Sequence, residues 1–141
     1  MSEETKNSAP LPAVGARAVH VRTITDSDIV RFAEVSGDRN PVHLDAEYAA
    51  RSLFGQRVAH GFLIGSLISA VIGMELPGPG SIYLGQTLKF VAPVHIGDTV
   101  TVSVEVIKVR EDKRLITLRT DCVNQNETLV LTGEAVVKYV G

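Results

Sequence analysis

Between Gly61 and Leu76 the chain reads Gly-Phe-Leu-Ile-Gly-Ser-Leu-Ile-Ser-Ala-Val-Ile-Gly-Met-Glu-Leu, which leaves almost no polar helical face. A helix apolar on all sides is expected to be buried on all sides. The segment is shorter than the roughly 20 residues needed to cross a bilayer and carries Ser66, Ser69, Gly65 and Gly73. The expectation is therefore a helix inside the protein, not a membrane span. Leu76-Pro77-Gly78-Pro79-Gly80 ends it abruptly, because prolines and glycines do not continue a helix.

Such a helix needs apolar surface to cover it, and the chain after Gly80 supplies strands. From Thr99 to Val109, Val100, Val102, Val104 and Val106 alternate with Thr101, Ser103 and Glu105. Period-2 alternation predicts strands with one buried face. Ser81–Val91, Arg114–Val123 and Thr128–Val140 complete the set, and the links between the last three are short enough for hairpins. Before the apolar segment, Ala18–Ile24 is a candidate first strand. Thr25-Asp26-Ser27-Asp28 is a helix start, with Thr25 as cap and Asp28 at the positive end of the dipole. Ile29, Phe32, Ala33 and Ser36 share a face, and Gly37 is the terminator. Pro41 biases Asn40 away from helix, so residues 38–43 are expected as an extended or turned loop, with a short helix over Asp45–Leu53. The fold class is α+β: an antiparallel sheet covered by one buried helix, in a single domain over residues 16–141 behind a flexible segment of residues 1–15.

Composition narrows the function. A net charge of -2 with no basic cluster argues against a nucleic-acid partner. One cysteine, Cys122, allows no intrachain disulfide and reads as a packed thiol. Met1–Pro12 lacks the apolar run of a secretory signal, so the cytoplasm is the expected address. His20, His43, His60 and His95 are scattered, without a ligand pair at helical or zinc-finger spacing, and no metal site is expected.

Asp38 and His43 lie five residues apart around Pro41. A carboxylate and an imidazole brought together can hold a water molecule, one accepting its proton while the other donates. On spacing alone they read first as a cap and a packed side chain of a local turn. Asn40 reads as a residue that bonds its own backbone and orients the loop. Gly61, at the start of the apolar helix, can offer a closely approachable amide to a developing oxyanion, or can simply begin a helix. His60 reads as closing the turn. Ser66 and Ser69 are expected to bond back to carbonyls one turn earlier; no Gly-x-Ser-x-Gly elbow makes either a nucleophile.

The stretch Ser36-Gly37-Asp38-Arg39-Asn40-Pro41-Val42-His43-Leu44-Asp45 resembles the signature loop of the MaoC-like hydratases and dehydratases, within them the (R)-specific enoyl-CoA hydratases. The likeness continues through Val58–Leu63, Leu76–Gln86, Phe90–Asp98 and Thr132–Val137, so it covers about Val21 to Tyr139. The resemblance implies a hot dog fold and a homodimer. It implies Asp38 and His43 as the pair that activates water and Gly61 as the amide that holds the thioester oxygen. Asn40 becomes a loop support, and Ser69, Ile72 and Val137 match acyl-pocket positions. The implied reaction is reversible hydration of trans-2-enoyl-CoA to (R)-3-hydroxyacyl-CoA, in fatty acid metabolism or polyhydroxyalkanoate precursor supply. No dissociable cofactor is implied, since CoA arrives with the substrate; an acyl carrier protein thioester is the variant substrate. The competing readings are a hot dog thioesterase and a non-catalytic acyl-thioester binding subunit.

Overall fold

The computed structural model describes residues 9–141. Strand β1 (Arg17–Thr23) leads into helix α1 (Asp26–Ser36), the short helices α2 (Pro41–Leu44) and α3 (Ala46–Ala50), and the long helix α4 (Gly61–Met74). Strands β2 (Ser81–Gln86), β3 (Lys89–Phe90), β4 (Thr99–Arg110), β5 (Leu115–Val123) and β6 (Leu129–Tyr139) follow. They form one antiparallel sheet in the order β1-β4-β5-β6-β2, with β3 also paired to β6.

Local chemistry sets the element ends. Thr25 and Asp28 form a reciprocal capping box at the start of α1, and Gly37 ends the helix in the left-handed region at φ 81°. Arg22 Nη2 donates to Asp28 Oδ1 at 2.6 Å, and this bond holds the Asp28 carboxyl below its usual range. Residues 41–44 depart from the expected loop by closing one helical turn. Asn40 Oδ1 accepts from the Val42 amide at 3.2 Å, and Pro41 occupies the first helical position, where its missing N–H costs nothing. The helix expected over 45–53 closes after Ala50. The expected strand over 81–91 is split into β2 and β3.

Along β4, Val100, Val102, Val104 and Val106 are all wholly buried, and β5 contributes Ile116, Leu118 and Cys122 to the same core. Each such side chain contributes roughly 1.5–3 kcal/mol by leaving water. Helix α4 presses Leu63, Ile64, Leu67, Ile68, Val71 and Ile72 into this core. Its other face is open in the isolated chain, with Phe62 66% and Met74 73% exposed. The expectation of burial on every side is thus met on one stripe only, because a single sheet can cover only one side of a cylinder.

Residues 9–15, expected within the flexible segment, lie against the sheet. Leu11 packs on the core, Gly15 N donates to Val106 O at 2.8 Å, and Arg114 Nη2 donates to Ala9 O at 2.6 Å. The remainder of that expectation, residues 1–8, lies outside the described residues. Among the described residues no helix is long and apolar enough to cross a membrane.

Candidate active site

The loop after α1 is built from its own side chains. Ser36 Oγ accepts from the Asp38 amide at 3.1 Å, and Asp38 Oδ1 accepts from the Asn40 amide at 3.2 Å. These bonds hold residues 37–40 turned and leave the Asp38 side chain half exposed. The turn that follows places His43 on the chain that returns at Val58. His43 Nδ1 lies 2.8 Å from Val58 O. A carbonyl only accepts, so Nδ1 carries a proton, and in the neutral imidazole Nε2 presents its lone pair.

That lone pair faces Asp38. His43 Nε2 stands 4.0 Å from Asp38 Oδ2, too far for a direct hydrogen bond. A water about 2.8 Å from each atom spans the gap with an angle of about 90° at its oxygen. The pair is therefore shaped to hold one water between a carboxylate and an imidazole.

The far side of His43 is fixed as well. Arg57 Nε donates to His43 O at 2.7 Å, and Arg57 Nη2 bonds Asp26 Oδ1 at 2.6 Å on α1. Val58 N donates to Val42 O at 3.3 Å, while Ala59 N donates to Val94 O at 2.7 Å and Val58 bridges His95. Arg57 carried no signal in the sequence, because its partners are a backbone carbonyl and a distant acid.

His60 is nearly fully buried and sits immediately before Gly61, the first residue of α4. Its Nε2 lies 2.9 Å from Asp38 O, so Nε2 carries the proton; its Nδ1 is buried without a partner. Its ring stacks on His43 with centroids 3.8 Å apart and meets Phe32 at 4.9 Å. Burial, with help from the neighbouring His43, pushes the His60 pKa down, against the opposing pull of Asp38. In the sequence His60 reads as closing a turn, and the signal for more is a histidine set between Ala59 and Gly61 at a helix start.

The possible ligand atoms of Asp38, His43 and His60 lie within 4.8 Å of one another. The two ring planes are tilted by only 28°, so they meet well beyond the ~2.1 Å reach of a metal–imidazole bond. A single ion therefore cannot lie in both ring planes at bonding distance.

Gly61, as first residue of α4, has an amide without an intrahelical acceptor. Where a Cβ would stand, the Phe90 ring is 2.6 Å away. The glycine thus admits Phe90 on that side, and Ala59, Gly61, Ile64, Phe90, Ala92 and Val94 line a small apolar cavity beside it. Asn40 caps α2. Ser69 is exposed on the open face of α4, while Ile72 and Val137 lie fully buried in the core. The structure brings together Asp38, His43, His60 and, through its neighbour His60, Gly61; it does not bring Ser69, Ile72 or Val137 to them. Ser66 Oγ bonds back to Leu63 O at 2.6 Å, as expected for a serine in an apolar helix. Burial pushes the Cys122 thiol up to about 12.

A long helix laid on a curled antiparallel sheet, with a water-sized gap between an acid and a histidine at the helix start, defines a hot dog protein equipped for proton-transfer chemistry. The family described as "MaoC like domain" matches residues 10–128, and the chain belongs to it. It is 50% identical over 125 residues to a 3-hydroxybutyryl-CoA dehydratase of Methylorubrum extorquens, covering 89% of this chain and 79% of that protein. It is 47% identical to an (R)-specific enoyl-CoA hydratase of Aeromonas caviae, covering 93% and 98%. The solved (R)-hydratase of A. caviae superposes with a TM-score of 0.90 at 46% identity over 93% of this chain and 99% of that one. An R-hydratase of Pseudomonas aeruginosa gives 0.87 at 48% identity over 91% and 82%.

Proposed function

We propose that this chain is a hydro-lyase that adds water to trans-2-enoyl-CoA to give (R)-3-hydroxyacyl-CoA, and removes it in reverse. The single observation that carries the reading is the 4.0 Å gap between His43 Nε2 and Asp38 Oδ2, with Nδ1 committed to Val58 O. The names of the similar proteins, a hydratase and a dehydratase, describe the two directions of one reaction.

In the proposed step the thioester oxygen lies on the Gly61 amide, which draws electron density from the third acyl carbon. Water held by Asp38 and His43 attacks that carbon. The pair takes one proton from the water and returns it to the second carbon on the same face. The C–O and C–H bonds formed balance the O–H and C=C π bonds lost, and the side chains end in their starting protonation state. Acid–base help of this kind is worth roughly 10²–10⁴ in rate, and one oxyanion donor about 3–4 kcal/mol of barrier. Ser69, Ile72 and Val137 serve the acyl chain in this reading. Because Ile72 and Val137 are core residues, their part is to set how far the interior can open.

The functional unit is a homodimer in this reading. Its support is the open face of α4 together with edge strand β2, where Ile82 is 46% and Leu84 56% exposed; monomers rarely leave such apolar surface wet.

The deciding experiment follows the enoyl absorbance of crotonyl-CoA with purified protein, with chiral analysis of the product. Rapid loss giving the (R)-alcohol, abolished in Asp38→Asn, establishes the hydratase. Release of free thiol instead would replace it with the thioesterase reading, and absence of turnover with crotonyl, longer acyl and carrier-protein thioesters would leave the binding-subunit reading.

A further inference from the structure

The buried polar side chains among the described residues are His60 and Thr120. Thr120 Oγ1 accepts from Gln86 Nε2 at 2.9 Å. His60 is satisfied at one nitrogen only, and a buried acceptor without a partner costs stability that an apolar side chain of similar shape would not. The position is held at that cost, and its contacts show what is gained. Its Nε2–H fixes the Asp38 carbonyl, its ring lies flat on His43, and its own backbone carries the chain directly into Gly61.

We infer that His60 is a positioning residue, which registers the water-holding pair Asp38–His43 against the Gly61 amide. The inference rests on the proposed hydration reaction. Attack requires the water and the polarised carbonyl to be placed together, and these come from two stretches of chain more than fifteen residues apart in sequence. Backbone bonds at Val58 and Ala59 hold the returning segment, but the donor from this segment to the Asp38 backbone is the His60 ring. Its stacking also blocks one face of His43, so the His43 ring can turn little about its bond to Val58 O. A misplacement on the order of 1 Å at such a site can cost about a hundredfold in rate without weakening substrate binding.

Three variants of the full chain separate positioning from mere packing. His60→Phe keeps the ring and removes both nitrogens. His60→Gln keeps a donor near the position of Nε2, and His60→Met has a similar shape without it. With crotonyl-CoA as substrate, His60→Phe is expected to melt at or above the wild-type temperature while kcat falls about tenfold to a hundredfold. KM should stay within about threefold, the pattern of an interaction that matters in the transition state. His60→Gln should exceed His60→Met in kcat by about fivefold or more, the worth of one donor to a carbonyl. If His60→Phe keeps kcat within about twofold, or if Gln and Met are equal, the positioning role is wrong. Should His60→Phe fail to fold, the Gln and Met pair decides alone. Wild-type protein without turnover would instead sink the hydration reading. The ¹⁵N signals of the His43 ring then judge His60: a tautomer unchanged between wild type and His60→Met overturns the inference, and a lost Nδ1–H preference upholds it.

Discussion

The ring of His43 donates from Nδ1 to the carbonyl of Val58, 2.8 Å away and fifteen residues along the chain. That one bond chooses the tautomer, aims Nε2 at Asp38, and leaves a gap of 4.0 Å, wide enough for one water molecule and too wide for a direct bond.

Asp38→Asn and His43→Gln should each lower kcat for crotonyl-CoA hydration by about 10²–10⁴. The fold should survive, because the Asp38 side chain is half exposed and asparagine retains the oxygen that accepts from the Asn40 amide. Losing the bond to Val58 O in His43→Gln should cost about 1 kcal/mol. Steady-state rates alongside thermal melts check both; either variant keeping most of its rate removes that residue from the mechanism.

Gly61→Ala places a Cβ 2.6 Å from the Phe90 ring. Phe90 is half exposed and can swing aside, so the expected loss is about 1–2 kcal/mol, at the lower end of overpacking costs. Combining Gly61→Ala with Phe90→Ala should restore the melting temperature and leave turnover low. Recovery of turnover together with stability would show that Gly61 serves packing alone, and the oxyanion role would be withdrawn.

Arg57→Met should destabilise the protein by about 1–3 kcal/mol, because the His43 carbonyl loses its charged donor in a partly buried place. Asp26→Asn should change stability by less than about 0.5 kcal/mol, since Asp26 is 62% exposed and the ion pair is screened. Denaturant midpoints with equal slopes distinguish the two; equal losses would mean that the salt bridge, not the bond to His43, holds the loop.

Acid should weaken the fold through His60. Its folded pKa is lowered from 6.5, chiefly by burial against Phe32 and with the stacked His43 adding to the fall, while the Asp38 carbonyl and carboxylate oppose it. The unfolded chain therefore takes up the proton first as pH drops. Stability is full above the unfolded value and declines as pH falls from about 6.5 towards the lower folded value. Melting temperatures measured from pH 8 to pH 5 should fall more steeply for wild type than for His60→Phe. Parallel curves would show that His60 does not titrate with unfolding.

Local rules made much of this molecule legible. The Thr25–Asp28 box, the Gly37 stop, the valine alternation of β4 and the back-bonding of Ser66 each depend on neighbours within four residues or on a strict period. Asp38 and His43 are legible as a pair through the likeness of residues 36–45 to a family's signature loop, since their spacing alone fits a capped turn. The helical turn at Pro41–Leu44 is not legible in the sequence, because Asn40, which by type orients the loop, also caps it.

The amino-acid sequence by itself determined most of the strands and helices and that the Gly61–Leu76 run must find apolar cover, and it offered Asp38 and His43 as an acid and an imidazole in one loop. Tertiary structure alone decided that α4 buries one stripe, that Arg57 holds the His43 carbonyl, that Phe90 takes the space beside Gly61, and that His60 spans from the helix start to Asp38. These contacts join residues far apart in the chain, and several end on backbone carbonyls, which every residue possesses. Spacing and residue type carry no record of such partners; only the packed fold brings them within reach.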